Sequence, residues 1–240
     1  TEQIHTGIVE TADLFQFCRR HTFQRRKNQQ GNLIRRDWWK WYDFGQAGPM
    51  AQTILSIDAS FKGSEDNDFV SIQCWGKREA DAFLLDSVKD HMDFPQTLRV
   101  VRQMAAKWPQ AKPIYIEDKA NGSAIIQTLQ KEMFCIPVNP LGGKEARVNA
   151  VSPAIESGHV YLPQGEEWLS AFVDQFTAFP AGKNDDMVDS ATQALSYLLH
   201  HSGELPRAPE RHARDGYEET AFATLDGDAM YDPYGEANYF

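Results

Sequence analysis

Three short apolar segments follow one another in the first half of the chain, and their order constrains the fold more than any other feature. They are Thr53–Asp58, Phe69–Trp75 and Ala82–Val88, and their composition is typical of β-strands. A turn rich in Gly, Ser, Asp and Asn separates the first two segments, and a charged turn separates the last two. Consecutive strands joined by short turns pair in antiparallel fashion. The sequence therefore predicts an antiparallel meander of three strands.

Helical and extended patterns alternate after this meander. A helix that begins at Pro95 ends before Pro109, and the strand Ile114–Glu117 follows it. Helices that alternate with strands cover the faces of a mixed sheet, so the sequence predicts an α/β fold. The same patterns predict further helices near residues 121–133, 144–157, 166–179 and 185–200, and extended segments at Cys135–Val138 and His159–Leu162.

The chain of 240 residues is long enough for one main domain with extensions. We expect residues 49–203 to form this domain and residues 1–48, which combine basic stretches with the aromatic cluster Trp38–Phe44, to be a linker or docking segment. Residues 204–240 are rich in Pro, Gly and charged residues and predict a flexible or loosely docked tail. For the aromatic cluster, packing against the main domain is favoured over stacking on nucleic acid.

Composition excludes several classes of protein. The formal net charge of −10 argues against wrapping nucleic acid with the whole surface, although it leaves room for a local basic track. Cys18, Cys74 and Cys135 have no CxxC spacing, which disfavours a disulfide framework or a zinc site and favours a reducing, intracellular compartment. No apolar run approaches the roughly 20 residues that cross a bilayer, and the sequence starts without a signal-peptide pattern. We therefore expect a protein that is neither secreted nor in a membrane.

Two predicted strands end in acidic residues. Asp58 ends the first strand of the meander, and Glu117 ends a later strand; both precede turns. Because ligand sites in open α/β sheets favour strand ends, the pair is more informative than either acid alone. Asp118 is an alternative to Glu117, since neighbouring residues of a strand point to opposite faces.

A third acidic group, Asp185, Asp186 and Asp189, begins the last predicted helix. Residues three or four positions apart share a helix face, so at least two of these carboxylates lie together. Capping of the helix is the ordinary explanation for such acids, but three exceed what one cap requires. Oxygen ligands from separated acids suit Mg²⁺ or Mn²⁺, and two such ions about 4 Å apart can activate a water molecule for phosphodiester cleavage.

These segments resemble the C-terminal nuclease domain of the large terminase subunit of tailed bacteriophages, which belongs to the RNase H-like superfamily. The resemblance spans about residues 33–200. It rests on the strand Ile54–Asp58, the turn Gly63–Asp68, and the segments Ile116–Gly122 and Lys183–Ala191. It implies an RNase H-like mixed sheet flanked by helices.

The resemblance also implies roles for the acids. Asp58, Glu117 and Asp186 are expected to be the catalytic, metal-binding residues, with Asp185 and Asp189 as nearby candidates. Asp68, near the start of the second strand, is a further candidate ligand. The third ligand among Asp185, Asp186 and Asp189 remains open on helical geometry, and the resemblance favours Asp186. The expected cofactors are Mg²⁺ or Mn²⁺, as two ions.

The implied activity is endonucleolytic cutting of concatemeric double-stranded viral DNA during genome packaging. The expected partners are double-stranded DNA, the terminase ATPase domain, the small terminase subunit and the portal, in the cytoplasm of the host cell. This chain has no ATPase motif, so Asn32–Tyr42 is expected to be the linker that leaves the ATPase.

Five basic residues lie close in sequence to the acidic segments or to the Gly142-Gly143 turn, and we expect them to contact DNA phosphates. Two other interpretations remain open. One is an RNase H-like nuclease for another substrate, such as a Holliday-junction resolvase or an RNase H; the other is a non-catalytic docking module of the packaging motor. The five predicted DNA-binding residues are Lys62, Lys119, Lys144, Arg147 and Lys183, of which Lys119 and Lys183 directly flank acids.

Overall fold

A mixed sheet of seven strands organises the part of the chain that the structure, a computed structural model, describes: residues 32–59, 69–119 and 121–200. The strand order across the sheet is β1-β7-β4-β3-β2-β5-β6. The strands are β1 (Lys40–Tyr42), β2 (Gln52–Asp58), β3 (Phe69–Arg78), β4 (Asp81–His91), β5 (Ala111–Glu117), β6 (Cys135–Val138) and β7 (Val160–Pro163).

The three central strands form the predicted meander. β2 pairs antiparallel with β3, and β3 pairs antiparallel with β4. β5 and β6 extend the sheet in parallel beside β2, whereas β7 and β1 extend it in parallel beside β4. The predicted α/β fold with a mixed sheet and an antiparallel meander is therefore confirmed.

Five α-helices cover the two faces of the sheet in the described residues. The first begins at an N-cap, where the backbone N–H of Gln96 donates to the Asp93 carboxylate at 2.7 Å, and Pro95 occupies its first turn. The helices are α1 (Phe94–Lys107), α2 (Asn121–Leu129), α3 (Lys144–Glu156), α4 (Leu169–Ala178) and α5 (Asp186–His200). No described helix is long and apolar enough to cross a membrane.

The core has two layers, one on each face of the sheet, and successive side chains of β2 point into different layers. Ile54 packs in the layer that includes α3, α4 and α5, whereas Leu55 and Ile57 pack in the layer with α1 and α2. Ser56 points towards α5, because its hydroxyl donates to the Ser190 carbonyl at 2.7 Å. Asp58, two residues further along the same strand, shares this face.

Buried hydrogen bonds attach α5 to the sheet beneath it. The Gln73 side-chain amide donates to the Met187 carbonyl at 2.9 Å, and the Gln193 amide donates to the Ser56 hydroxyl at 2.9 Å. All these residues are buried. Buried polar groups cost free energy when they lose their partners, so these bonds select one position of the helix on the sheet.

The predicted linker contributes an edge strand, which the sequence did not predict. β1 pairs with β7, and Trp39 is buried with its ring edge against Phe176 at a centroid distance of 5.1 Å. The Tyr42 hydroxyl donates to the Leu84 carbonyl at 2.7 Å. Packing of these aromatics is thus the interpretation that holds for Trp39 and Tyr42, while Trp41 remains 43% exposed.

Two predicted helices are shorter than expected. α2 ends at Leu129 instead of about residue 133, because a turn begins at Gln130. α4 begins at Leu169, since residues 167 and 168 form a turn. The first part of the predicted linker at residues 1–31, the turn at residues 60–68 and the tail at residues 204–240 lie outside the described residues.

We predict that Gln73→Met lowers the free energy of unfolding by about 2–3 kcal/mol, because it leaves the Trp75 indole N–H buried without its partner and removes the side-chain hydrogen bond from the sheet to the Met187 carbonyl. Urea denaturation measures this loss. Thr128→Ala, which removes a side-chain hydrogen bond within α2, is the control and is expected to cost about 0.5 kcal/mol or less. Equal losses in the two variants would contradict a special role for the buried bonds.

Candidate metal centre

The acidic centre lies where β2 and β5 end and α5 begins. Asp58 is the last residue of β2 and Glu117 the last residue of β5. The two strands are parallel neighbours, with Ile57 paired to Ile116, so their terminal acids lie side by side. Asp186 and Asp189 occupy the first turn of α5, which packs on β2. We use the name acidic centre for Asp58, Glu117, Asp185, Asp186 and Asp189.

Asp58 is the most buried carboxylate of the centre. It is 4% exposed, and its Oδ1 atom is buried without a hydrogen-bond partner among the described residues. Burial raises the pKa of Asp58 to about 7, and the charges of Asp189, Glu117 and Asp186 contribute to this rise in that order, against the opposing charge of Lys144. The neighbouring acids are thus close enough to repel the Asp58 charge.

Glu117 rather than Asp118 belongs to the centre. The Asp118 carboxylate accepts a hydrogen bond from the Ser123 hydroxyl at 2.5 Å, so it holds the start of α2. Gly122 permits this helix to begin so close to the strand, because a Cβ atom there would lie 1.9 Å from the Glu117 carbonyl oxygen. The alternative that the sequence left open at residues 117 and 118 is thereby resolved in favour of Glu117 as the buried acid.

Two basic residues of α3 reach across to the centre. The Lys144 ammonium lies 2.5 Å from Asp185 Oδ2 and 2.7 Å from Asp189 Oδ2. The Arg147 guanidinium lies 2.8 Å from Asp189 Oδ1 and 3.8 Å from Glu117 Oε2. Lys144 and Arg147 therefore join acids of α5 to the acid of β5.

Burial and these contacts act together on the pKa values of Lys144 and Asp189. Burial lowers the pKa of Lys144, but the hydrogen bonds and charges of Asp185 and Asp189 outweigh burial and raise it overall. Burial also raises the pKa of Asp189, against the opposing effects of Lys144 and Arg147. Lys144 is thus held in its charged form by the acids, whereas burial disfavours the charge of Asp189.

Lys89 is a further basic residue of the site, and the sequence patterns did not indicate it. Its ammonium lies 2.9 Å from Asp186 Oδ2 without hydrogen-bond geometry, and it also lies 4.0 Å from the centre of the Phe69 ring. The pairing register shows why it is there: Asp58 is opposite Ser71, and Ser71 is opposite Lys89, so the three share one face of the sheet. The sequence signal that could have indicated Lys89 was its position directly after the predicted strand Ala82–Val88.

The structure brings most predicted site residues together. Lys119 pairs with Glu117 at 2.6 Å. Lys183 is exposed and takes part in none of the ion pairs found among the described residues. Lys62 and Asp68 lie outside the described residues.

Among the described residues, every acid of the centre except Asp58 pairs with one of these basic residues. In the described part of the chain, no three His, Cys, Asp or Glu side chains are arranged to hold a metal ion as they stand. The donor set nevertheless fits a hard cation, because it consists of carboxylate oxygens and includes the buried, unpartnered Asp58 Oδ1. Side chains at the ends of β2 and β5 and at the start of α5 have to rotate to form such a site.

The sheet order, the meander and the strand-end acids define an RNase H-like α/β domain. A family model described as the terminase RNase H-like domain matches residues 55–198. This match covers more than half of the chain, and the chain belongs to that family.

Solved structures align with this chain at low sequence identity. The large terminase of a thermophilic bacteriophage, in complex with ADP, aligns with a TM-score of 0.55 and 10% identity over 70% of this chain and 44% of that one. This chain thus corresponds to less than half of that ADP-bound terminase. The cobalt-bound large terminase nuclease of the thermophilic phage G20c aligns with a TM-score of 0.49 and 15% identity over 67% and 93% of the two chains. The human cytomegalovirus terminase nuclease domain aligns with a TM-score of 0.49 and 11% identity over 69% and 95%.

A comparison with curated protein sequences gave no match. At 10% identity, the likeness to the ADP-bound terminase supports the fold alone.

We predict that Asp58→Asn stabilises the protein in chelator at pH 8. A neutral amide removes repulsion from Asp189, Glu117 and Asp186, so the melting temperature is expected to rise by about 3 °C, the shift that roughly 1 kcal/mol gives in a chain of this size. Scanning calorimetry measures the change. Asp118→Asn is the control, because Asp118 accepts a hydrogen bond from Ser123 and gains nothing from neutralisation. A lower melting temperature for Asp58→Asn would contradict the repulsion argument.

Proposed function

We propose that this chain is the metal-dependent endonuclease part of a large terminase subunit, which cuts concatemeric double-stranded viral DNA during genome packaging. The observation that carries the proposal is the convergence of acids from β2, β5 and α5 around the buried, unpartnered Asp58, in a domain of the terminase RNase H-like family. A buried carboxylate that faces other carboxylates is costly unless a cation neutralises it.

Asp58, Glu117 and Asp186 are the proposed ligands of two Mg²⁺ or Mn²⁺ ions. Such ions supply a water molecule of lowered pKa and stabilise charge on the phosphate during hydrolysis. The residues of the chain hold the oxygen donors in place: β2 and β5 fix two of them side by side, and α5, which packs on β2 and β3, carries the third.

The ion pairs support Asp186 as the third ligand. Both oxygens of Asp189 already have charged partners, Lys144 and Arg147, and Asp185 pairs with Lys144. Asp185 and Asp186 each have one ion pair within the described residues, through Oδ2. Of these two, Asp186 is the one whose charge raises the pKa of Asp58, so it is the acid with a free oxygen that lies close enough to act with Asp58.

Lys119 and Lys144 are the proposed phosphate contacts nearest to the acids. Lys119 is 60% exposed and Lys144 is 46% exposed, so each ammonium reaches solvent while it touches the acidic centre. Arg147 is more buried and pairs with Asp189, which Lys144 also contacts. Lys183 is exposed and comes just before α5 in the sequence. Lys62 is proposed on its sequence position alone.

The wider biological setting is also part of the proposal. We propose residues 49–203 as the nuclease domain, residues 1–48 as the segment on the ATPase side, and residues 204–240 as a tail. The proposed partners are double-stranded DNA, the ATPase part of the large subunit, the small terminase subunit and the portal, in the host cytoplasm. In support, the family model that matches residues 55–198 is that of a terminase RNase H-like domain.

We predict that the 240-residue chain nicks and linearises supercoiled plasmid with Mn²⁺ or Mg²⁺. Asp58→Asn, Glu117→Gln and Asp186→Asn are each expected to reduce the rate by more than about 100-fold, the upper range for residues that only support a metal ligand. Gel assays of plasmid conversion measure the rate. Asp118→Asn is the matched control, because that acid holds α2 and is expected to stay within a few-fold of the parent.

Cutting by the folded Asp58 and Glu117 variants at the parent rate would overturn the assignment. Preference for an RNA–DNA hybrid or a four-way junction over linear duplex would favour the other RNase H-like substrates. Partner binding without any cutting would favour a docking module.

We also predict direct binding of metal. Mn²⁺ at about 100 times its dissociation constant is expected to stabilise the folded chain by about 2.7 kcal/mol. The shift in chemical denaturation measures this effect without any nuclease assay. Asp58→Asn is expected to lose most of it, whereas Asp118→Asn is expected to keep it. An equal shift in all three proteins would place the bound ion elsewhere.

A further inference from the structure

The first turn of α3 presents two basic side chains to the acidic centre. Lys144 is the first residue of the helix, and Arg147 is one turn later on the same face. Between them they contact acids from two different elements: Asp185 and Asp189 near the start of α5, and Glu117 at the end of β5. α3 thus supplies positive charge to the site from its own chain.

These contacts hold positive charge beside the proposed metal ligands, because Lys144 is close enough to Asp58 for its charge to act on that carboxylate. Asp189 uses Oδ1 towards Arg147 and Oδ2 towards Lys144, and Asp185 uses Oδ2 towards Lys144. An ammonium next to a carboxylate also repels a metal ion that approaches that carboxylate. Metal binding at the acidic centre is therefore weakened for as long as Lys144 lies against Asp185 and Asp189.

Lys144 and Arg147 differ in how freely they can leave. The Arg147 side chain is 12% exposed, whereas Lys144 is 46% exposed. Lys144 also follows Gly142 and Gly143, the first of which has a φ of 79°, in the left-handed region that suits glycine. A Lys ammonium on a flexible four-carbon side chain reorients at low cost. Lys144 is therefore the member of the pair that can exchange one anionic partner for another.

A DNA phosphate is an anionic partner of the right kind. The proposed substrate carries phosphates to the rim of the acidic centre, where the exposed ammonium of Lys144 lies. We propose that Lys144 couples DNA binding to metal binding: a phosphate draws its ammonium away from Asp185 and Asp189, which raises the affinity of the centre for metal. This inference rests on the proposed function. It assigns Lys144 a positioning role beyond simple phosphate contact.

Thermodynamic reciprocity makes the proposal quantitative. If DNA raises metal affinity through Lys144, metal must raise DNA affinity by the same factor. Coupling between two sites in proteins is commonly about 5-fold to 150-fold, and we expect the lower part of that range for an ammonium that is half exposed.

The test is calorimetric titration of Ca²⁺ into the full 240-residue chain, with and without a short DNA duplex whose integrity is checked on a denaturing gel. In the parent, the duplex is expected to tighten Ca²⁺ binding by about fivefold or more. Lys144→Ala is expected to bind Ca²⁺ about fivefold more tightly without DNA, and to lose the further gain from DNA. Lys144→Arg keeps the charge and is expected to retain the coupling.

Lys131→Ala is the matched control for charge. It removes one positive charge from an exposed residue in the turn after α2, outside the acidic centre, and breaks no ion pair found in the described part of the chain. Its Ca²⁺ affinity without DNA is expected to stay within about twofold of the parent, since effects of a single exposed charge are small. An increase equal to that of Lys144→Ala would show general electrostatics and overturn the coupling role.

A second measurement examines the phosphate contact itself. Lys144→Ala is expected to reduce the salt dependence of duplex binding by about 0.9 in the slope of log affinity against log salt. Unchanged or weaker Ca²⁺ binding by folded Lys144→Ala, or unchanged coupling, would overturn the inference. The proposed metal centre itself fails separately, if the parent binds no Ca²⁺ or if Asp58→Asn binds it as tightly as the parent.

Discussion

The attachment of α5 to the sheet is the constraint on which the acidic centre depends. Gln73 and Ser56 bond to the main-chain carbonyls of Met187 and Ser190, and Gln193 returns a bond from α5 to Ser56. Apolar packing alone tolerates small slides of a helix, whereas buried hydrogen bonds require a defined position. This defined position brings the first turn of α5 to the end of β2. The position of the acids is thus set by buried hydrogen bonds in which the acids themselves take no part.

Charge balance is the second constraint, and it opposes the first. Bringing carboxylates together in a partly buried place raises the pKa of Asp58 and Asp189 and costs free energy. The chain offsets part of this cost with its own basic residues, whose ion pairs in the described residues reach every acid of the centre except Asp58. Such local conflict between stability and arrangement is expected at functional sites. Asp58 is where the conflict is greatest.

Local sequence signals predicted the fold and the acids better than they predicted the partners of those acids. The strand ends at Asp58 and Glu117 and the start of α5 followed from periodicity and turns, which are properties of neighbouring residues. Lys89 was missed because its role depends on the register of three strands, and β1 was missed because three residues carry too little pattern. The choice between Glu117 and Asp118 required the contact with Ser123, which alternation alone does not reveal.

Asp189 illustrates how a carboxylate can belong to a site without being its best ligand. It is buried, and its two oxygens bind Arg147 and Lys144, so it joins α3 to α5. Removing one partner of a buried ion pair leaves the other charge uncompensated, which makes this link costly to break. Arg147, which pairs with Asp189, also lies 3.8 Å from Glu117. It therefore connects the end of β5 to α3 and α5 as well. In the proposed function, Asp189 therefore holds α3 in place so that Lys144 stands between the acids and the DNA, while Asp186 remains available to the metal.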